Sequence, residues 1–439
     1  MNRFASFLCH GLQIAMLVCG IFFVFQVGHS QPPAARIGTV QETLPITRDW
    51  DKDAKEESKL FDAMQKGERP VSTDEDKTIL ENGAKWYTYR LTQPIYQEPG
   101  ASSKGMHGLV KEAVSKIVDP NDRRRAPNAN QIAFKEEFDK RLAARLAEVM
   151  RTSKVIARVN AAMILERLAA TGDEEVVDIL IETVQDPQEN DGVKLFALRG
   201  LKEFCDLGAG DSQFRNKDRE AKCIQALIDY VQHKPAAKQA LSGSQAAALS
   251  YVRNEAVAAL GSTRFPAYSV IEKKKTTIHR TTALALLRVI RKDGVIPEPT
   301  LTEQVNAVVS LAQLQAKLCD EYQVDYAAYH VGRFIAEFVV RRNAGKDSMT
   351  EPWKVHAARL HQAVADLRTQ AARGSGKAYV DKLASLAQTL LNDMVTNPKG
   401  TPDQRNLSTF LDTNPPASKS LFRGLDDAVV KEAEKTVEE

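Results

Sequence analysis

The sequence predicts an all-α fold of short helices that stack in antiparallel pairs, an α-solenoid. The first observation is a Leu or Phe followed seven positions later by a Gly, which recurs along the chain. The copies are Leu165 with Gly172, Leu201 with Gly208, Leu287 with Gly294, Phe338 with Gly345, and a looser one at Ala259-Leu260-Gly261. Gly adopts left-handed backbone angles at low cost, so each copy predicts the end of a helix. The second observation is that apolar residues at helical spacing lie between these glycines.

The composition is that of a large folded protein with balanced charge. Of the 439 residues, 43% are hydrophobic and 27% are charged, and the formal net charge is +3. Length alone suggests two or three domains, but a solenoid grows by adding repeats, so one body of about 300 residues fits equally well. The near balance of charge argues against a nucleic-acid partner.

Residues 1–30 have the features of a targeting segment. The stretch from Phe4 to Val27 contains no Lys, Arg, Asp or Glu and follows the basic start Met-Asn-Arg. The residues Gly28-His29-Ser30 predict cleavage of a signal peptide after Ser30. The alternative is an uncleaved anchor, in which residues 4–27 contact the membrane, because about 20 apolar residues span a bilayer. Both interpretations place residues 31–439 outside the cytoplasm, either periplasmic or secreted.

Three cysteines follow the targeting segment, namely Cys205, Cys223 and Cys319. Their odd number and wide separation exclude a disulfide framework. We expect buried thiols, and the alternative is a single bridge between Cys205 and Cys223 on neighbouring helices.

The segment before the repeats divides into a linker and a cap. Residues 31–71 are predicted to be a flexible linker, since they are polar and mix both charges, with one short helix from Asp53 to Gln65. Residues 72–130 are predicted to form an N-terminal helical cap that starts at a capping box of Ser72 and Glu75. We expect the aromatic run Trp86-Tyr87-Thr88-Tyr89-Arg90 of this cap to be helical and to cover the first repeat.

The repeats are predicted to cover residues 131–345. The clearest pair joins the apolar stripe from Val176 to Val184 with that from Val193 to Phe204 through the turn Asp186-Pro187. Three further pairs are expected: Phe134 to Val149 with Ile156 to Leu168, Ile224 to Val231 with Leu249 to Leu260, and Leu301 to Ala312 with Val324 to Phe338. A helix from Thr276 to Lys292 resembles a return helix, meaning the second helix of a pair, but lacks a first partner.

The chain is predicted to end in a hairpin and a tail. Residues 346–396 should form a C-terminal helical hairpin whose two helices are linked by Gly374-Ser375-Gly376. Residues 397–439 should form a disordered tail, because proline-containing breakers and acidic residues dominate them.

The predicted return helices resemble those of HEAT or armadillo-type repeats. Each carries a basic residue followed by small and large apolar residues at fixed offsets. The three copies are Arg158 with Ala161, Ala162 and Leu165; Lys194 with Ala197, Leu198 and Leu201; and Arg253 with Ala256, Val257 and Leu260. The resemblance covers residues 131 to 345. It implies a right-handed α–α superhelix that binds a protein partner along its concave surface.

The sequence contains no convincing catalytic or metal-binding pattern. His356 and His361 are five positions apart, so they point about 140° away from each other on a helix and cannot easily share a metal. Gly376-Lys377 imitates the end of a phosphate-binding loop, but Ala371 and Ala378 replace the glycine and the hydroxyl residue that such a loop needs. We therefore predict a protein that is not an enzyme and that needs no cofactor or metal.

Two basic clusters are the candidate partner-binding residues. They are Arg123, Arg124 and Arg125, and Lys273, Lys274 and Lys275. A triple positive charge in a connection is either solvated or a contact for an acidic partner or surface. The function predicted is a non-enzymatic, extracytoplasmic scaffold that binds a protein. The alternatives are an enzyme or small-ligand carrier, with a site between the N-terminal cap and the first repeats, and a membrane-anchored organiser of the envelope.

Overall fold

The structure is a computed structural model of the full chain. The residues described below are 42–46, 49–50, 52–98, 105–118, 126–207, 214, 216–232, 241–272, 276–345, 352–371, 376–397 and 400–423. The predicted signal or anchor segment, residues 1–30, lies outside these ranges.

The described part of the chain is helical apart from one hairpin of two short strands. The first helices are α1 (Lys55–Gln65), α2 (Asp74–Tyr89), α3 (Pro94–Gln97) and α4 (Gly105–Val114). Next come α5 (Ala129–Met150), α6 (Val155–Ala169), α7 (Glu175–Gln185), α8 (Asp191–Asp206), α9 (Lys217–Gln232) and α10 (Gly243–Thr263). The strands are β1 (Tyr268–Glu272) and β2 (Thr276–Arg280). The last helices are α11 (Thr282–Arg291), α12 (Leu301–Gln313), α13 (Val324–Asn343), α14 (Trp353–Gln370), α15 (Lys377–Thr396) and α16 (Arg405–Thr413).

Helix α2 begins at a capping box, one residue later than the sequence predicted. The Thr73 hydroxyl accepts a hydrogen bond from the Asp76 backbone N–H at 3.1 Å, and the Asp76 carboxylate accepts one from the Thr73 backbone N–H at 2.9 Å. Arg69 also pairs with Asp76 at 2.6 Å. The predicted box of Ser72 and Glu75 is therefore wrong, because the Arg69 contact favours Asp76 as the reciprocal carboxylate.

The predicted flexible linker, residues 31–71, is folded over most of its described part. Helix α1 lies inside it and packs on α2 and α5. Phe61 is fully buried, with its ring centre 5.2 Å from that of Phe134 and 5.0 Å from that of Phe138. The linker prediction is wrong here because two buried side chains, Phe61 and Met64, are enough to dock a short polar helix.

From α5 onward the helices alternate between two layers. The pairs are α5 with α6, α7 with α8, α9 with α10, α11 with α12, and α13 with α14. The second helices pack on one another in chain order, from α6 through α8, α10 and α12 to α14. We call these five the return helices. The first helices also pack in chain order, so each pair contacts the pair before it and the pair after it.

The pairing after α10 differs from the sequence-based prediction. Residues 276–280 form strand β2, with Thr276 opposite Glu272 and Arg280 opposite Tyr268, so the predicted helix from Thr276 starts at Thr282 instead. That helix, α11, is a first helix and pairs with α12. The predicted pairing of α12 with α13 is therefore wrong. The sequence-based prediction merged strand β2 with α11 into one long helix, which resembled the second helix of a pair rather than the first.

The C-terminal hairpin is present as α14 and α15, which pack against each other. The predicted disordered tail, residues 397–439, is wrong for residues 400–423. Helix α16 buries Leu407 and Leu411 against the helices before it. The residues beyond α16 are also held by the earlier part of the chain. The carbonyl of Leu421 accepts a hydrogen bond from the backbone N–H of Gln323 at 2.9 Å, and Phe422 is buried. A few apolar side chains thus fix a segment whose composition is mostly polar.

Three of the recurring glycines end helices as predicted. Gly172, Gly294 and Gly345 have φ angles of 84°, 66° and 62° and lie just beyond α6, α11 and α13. Gly208 lies outside the described residues. Gly261 does not end a helix, because it lies within α10, where a Cβ would stand 2.7 Å from the Cα of Ser310 on α12. Its role is to let two return helices approach each other closely.

We expect Gly261→Ala to destabilise the protein by about 1–3 kcal/mol, because the added methyl group meets backbone that can move only with the whole of α12. The control is Gly243→Ala at the start of the same helix, where a Cβ would meet no atom within 4 Å. Alanine there should be neutral or stabilising by up to about 1 kcal/mol. Urea unfolding measures both, and equal effects would contradict the proposed close approach.

The three cysteines of the described region are free thiols. Cys223 is buried, whereas Cys205 and Cys319 are half-buried. Contact with the Cys205 thiol and burial both raise the pKa of Cys223. The expectation of buried thiols is confirmed for Cys223 and is wrong for Cys205 and Cys319, which are half-buried, and the thiols of Cys205 and Cys223 are neighbours.

Candidate functional site

The surface that the return helices share is the candidate functional site. Its polar side chains come from successive helices: Glu166 on α6, Arg199 on α8, Tyr251 and Glu255 on α10, and Asn306 on α12. We call these five residues the return-helix ridge. They come together because α6, α8, α10 and α12 pack side by side in chain order.

Arg199 connects two of these helices. Its Nη2 atom donates to Glu255 Oε1 at 3.0 Å and lies 3.4 Å from the hydroxyl of Tyr251. The guanidinium also lies 5.6 Å from the ring centre of Phe196 on its own helix. Both side chains of the ion pair are partly buried, so the pair is screened less than one in open water. The centre of the ridge is therefore fixed in position.

Glu166 has no such partner. In the described part of the chain no residue donates a hydrogen bond to its carboxylate or forms an ion pair with it. Burial raises the pKa of Glu166 to about 7, with Glu203 adding to the rise and Arg199 opposing it. Gly200 lets α8 lie close to α6 at this point, since a Cβ at position 200 would stand 3.2 Å from the Cα of Glu166. Glu166 is thus a half-buried carboxylate that gains and loses a proton near neutral pH.

The polar contacts continue toward the C-terminus of the repeats. Asn306 on α12 donates to the side-chain oxygen of Asn254 on α10 in a short hydrogen bond. The Thr302 hydroxyl lies 3.4 Å from Nε2 of His356 on α14. Contacts of this kind link the return helices to one another, and the Asn306 and His356 side chains that make them are buried.

Exposed apolar side chains also occur on the return helices. Ile156 on α6, Tyr251 on α10 and Val355 on α14 are 43%, 44% and 57% exposed. The sequence placed Ile156 in a buried stripe with Val159 and Met163, but the fully buried side chains of α6 include Ala157, Ala161 and Leu165 instead. Small alanines face the neighbouring helices because the helices approach closely there. Ile156 is consequently left at the surface, where single apolar residues are available to a partner.

The predicted partner-binding clusters stay a prediction. Arg123, Arg124, Arg125, Lys273, Lys274 and Lys275 all lie outside the described residues. One more basic cluster, the pair Arg341-Arg342, lies at the end of α13. Arg341 donates to the side chain of Gln304 at 3.3 Å, and Arg342 donates to the carbonyl of Gly400. This pair therefore ties α13 to its neighbours.

The alternative ligand groove between the Trp86 helix and the first repeat is filled in the described region. Trp86 and Tyr87 are buried, and Phe61 packs between Tyr87 and the Phe134 and Phe138 rings of α5. At the edge of this contact, Tyr89 and Arg145 both donate short hydrogen bonds to Glu148. The aromatic run is a packing contact between α2 and α5.

Ridge residues were not recognised from the sequence. Glu166, Arg199 and Glu255 do not share a fixed offset from the basic positions 158, 194 and 253, so no repeat pattern selects them. Each of these helices also carries other charged residues, so the sequence offered no signal that singles out the three. Only the packing order of the helices shows that they meet.

Within the described ranges, no group of three or more His, Cys, Asp or Glu side chains is arranged to hold a metal ion. No helix among the described residues is long and apolar enough to cross a membrane. Comparisons with protein-family models, curated proteins and solved structures find no match.

We predict that Glu166→Gln changes how stability depends on pH. The folded pKa of about 7 is above the ordinary 4.5, so the unfolded chain loses this proton first as pH rises. Wild-type stability should therefore fall between about pH 4.5 and pH 7 through this group and be level above that range. Glutamine does not titrate, so the free energy of unfolding of the variant should not fall through this group. It should equal that of wild type near pH 4 and exceed it by about 1–2 kcal/mol at pH 8.

Urea unfolding at several pH values measures this difference. The control is Glu182→Gln, an exposed glutamate on α7, which should leave the wild-type profile unchanged. Parallel profiles for wild type and Glu166→Gln would contradict the raised pKa.

Proposed function

We propose that the chain is a non-enzymatic scaffold that binds a protein partner through the return-helix ridge. The observation that carries this proposal is the continuous packing of five return helices, whose outer side chains combine Arg199, Glu255 and the exposed ring of Tyr251. Arginine and tyrosine side chains held in place by neighbours are favoured at the centres of protein interfaces.

We further propose that residues 131–370 form a HEAT-like right-handed superhelix. Two features support it: the helix pairs follow one another in chain order, and the basic positions Arg158, Lys194 and Arg253 recur on successive return helices. The helix pairs number five when α13 with α14 is included. We therefore extend the proposed region past the predicted boundary at residue 345. A superhelix would make the ridge one extended surface.

Photocrosslinking tests the interaction. A photoreactive phenylalanine analogue replaces Tyr251 on the ridge, and in a matched protein it replaces Glu182 on the first-helix layer. After irradiation in cells of the native host, position 251 should give a discrete crosslinked product and position 182 should not. Equal products from both positions, or none from position 251, would refute the ridge as the binding surface.

We also propose that residues 1–30 direct the protein out of the cytoplasm, because Phe4 to Val27 form an uncharged stretch behind a basic start. Carbonate extraction of native membranes, followed by N-terminal sequencing, distinguishes a cleaved signal peptide from an uncleaved membrane anchor. A soluble protein that starts at Gln31 indicates a cleaved signal. A full-length protein that stays with the membrane indicates the anchored organiser, whose binding surface would be the same ridge.

A further inference from the structure

Two thiols meet at the junction between the second and the third helix pair. Cys205 lies in the last turn of α8, and Cys223 lies in the second turn of α9. The side chains of the two cysteines are in hydrogen-bonding contact, and both are free thiols. The fold thus places two oxidisable sulfurs against each other on helices that belong to different pairs.

The helix ends that carry these thiols are fixed by their neighbours. Phe204, one residue before Cys205, is buried, and its ring centre lies 4.9 Å from that of Phe214 in the connection to α9. Arg219 in the first turn of α9 donates two hydrogen bonds to the Asp178 carboxylate on α7, at 3.0 and 2.7 Å. Packing on both sides therefore sets the contact between the thiols.

The two thiols differ in their access to solvent. Cys205 is half-buried, so a reagent in solution can reach its sulfur, whereas Cys223 is fully buried. The sulfur of Cys223 is consequently reached through Cys205. Thiol–disulfide exchange needs this arrangement, in which one accessible thiol attacks a disulfide and a second thiol beside it resolves the mixed disulfide.

We propose that Cys205 and Cys223 form a reversible disulfide by exchange with a disulfide donor, either an oxidised dithiol protein or glutathione disulfide. The Cys205 sulfur attacks one donor sulfur, which gives a mixed disulfide and releases the first donor thiol. The Cys223 sulfur then attacks the Cys205 sulfur and releases the second donor thiol. The two protons of the cysteine thiols end on the two donor thiols. The chain is oxidised by two electrons, and the donor is reduced by two.

The bridge would join the second helix of one pair to the first helix of the next. The sulfurs are already in contact and must approach to about 2.05 Å, a movement that the end of α8 can provide. Helix α8 also carries Arg199, so the bridge would restrain the centre of the return-helix ridge. In cells the bridge rests on the proposed export, since disulfides persist in oxidising compartments. The tests below use purified protein and do not depend on export.

Peptide mapping of the purified full chain tests the bridge directly. The protein is equilibrated with glutathione and glutathione disulfide, remaining thiols are blocked with iodoacetamide, and trypsin is added. Trypsin cuts between the two cysteines, at Arg215 and Lys222 among other sites. A bridge therefore links the peptide of residues 203–215 to the peptide of residues 223–238, and reduction separates them.

The linked peptides support the proposal. Glutathione attached to Cys205 while Cys223 stays reduced overturns it, because the resolving step has then failed. A bridge from Cys205 to any cysteine other than Cys223 overturns it as well.

The same equilibrium in urea shows whether the fold positions the thiols. A contact that is set by packing should make the exchange constant for the bridge at least about tenfold more favourable in the folded protein than in the urea-unfolded chain. An equal or smaller constant in the folded protein overturns the proposal, because packing would then hold the sulfurs apart.

Matched variants assign the effect of the bridge on stability. Closing the loop between positions 205 and 223 restricts the unfolded chain, so the Tm of wild type should be about 3–6 °C higher with the bridge than after reduction. Cys319→Ser should keep this difference, since the Cys319 thiol contacts the Glu321 carboxylate at 3.4 Å. Cys205→Ser should abolish it, and a difference that survives in this variant overturns the proposal. If Cys205→Ser does not fold, the peptide map of wild type decides.

Discussion

Replacing Phe61 by alanine is expected to destabilise the N-terminal part of the protein by about 3–5 kcal/mol, since a fully buried phenylalanine leaves a cavity when it is truncated. Its ring is the centre of an aromatic cluster that joins α1, α2 and α5, with Trp50 and Tyr87 at 5.2 and 5.7 Å in addition to Phe134 and Phe138. Loss of this ring should release α1 and expose the first repeat.

Tryptophan fluorescence during urea unfolding measures this effect, because Trp50 and Trp86 both lie in the affected region. The transition they report should move to lower urea. Lys59→Ala, an exposed position on the same helix, controls for the change in helix propensity and should have little effect. If residues 42–71 were the flexible linker that their composition suggests, Phe61→Ala and Lys59→Ala would behave alike.

The second large effect is expected for Glu303→Ala, again about 3–5 kcal/mol, because it leaves Arg253 charged and buried without its carboxylate. Both side chains of this pair are 1% exposed. Glu303 also accepts from the Thr300 backbone N–H at 2.8 Å and from the Ser250 hydroxyl. The variant thus loses the capping box of α12 together with the ion pair between α10 and α12.

A pair with the same geometry at the surface provides the control. Arg333 and Asp412 are also 2.6 Å apart, but their side chains are 51% and 59% exposed. Asp412→Ala should cost less than about 1 kcal/mol, since water solvates the remaining arginine. The double variant Arg253→Met with Glu303→Ala should be less destabilised than the sum of the single ones. Similar costs for the buried and exposed pairs would contradict the role assigned to burial.

Most helices could be predicted from the sequence because their information is local. Apolar spacing located α5, α7, α8 and α9 within a few residues, and Gly172, Gly294 and Gly345 correctly marked helix ends through their positive φ angles. Gly261 also follows an apolar helical stretch, as a looser copy of the pattern, but it serves a contact with α12, which is distant in sequence. A glycine that ends a helix and one that admits a neighbour cannot be distinguished locally.

Errors concentrated where a few long-range contacts outweigh composition. Polar segments such as α1 and α16 were assigned to the linker and the tail because average hydrophobicity was low. Each is nevertheless held by a pair of buried residues, Phe61 with Met64 and Leu407 with Leu411. The pairing after α10 failed because residues 276–280 were assigned to a helix although they form strand β2, so α11 was taken for a return helix instead of the first helix of a pair with α12.

The sequence by itself determined that the protein is built from amphipathic helices, where many of them end, and that basic residues recur on three of them. These properties depend on residues within one or two turns of each other. Only the tertiary structure decided which helices pair, that Arg253 meets Glu303, and that Arg199 and Tyr251 meet across two helices. The reason is that stacking of the helices brings together side chains that are 50 or more positions apart in the sequence. How far these side chains are buried, and which charges they meet, is decided only by that packing.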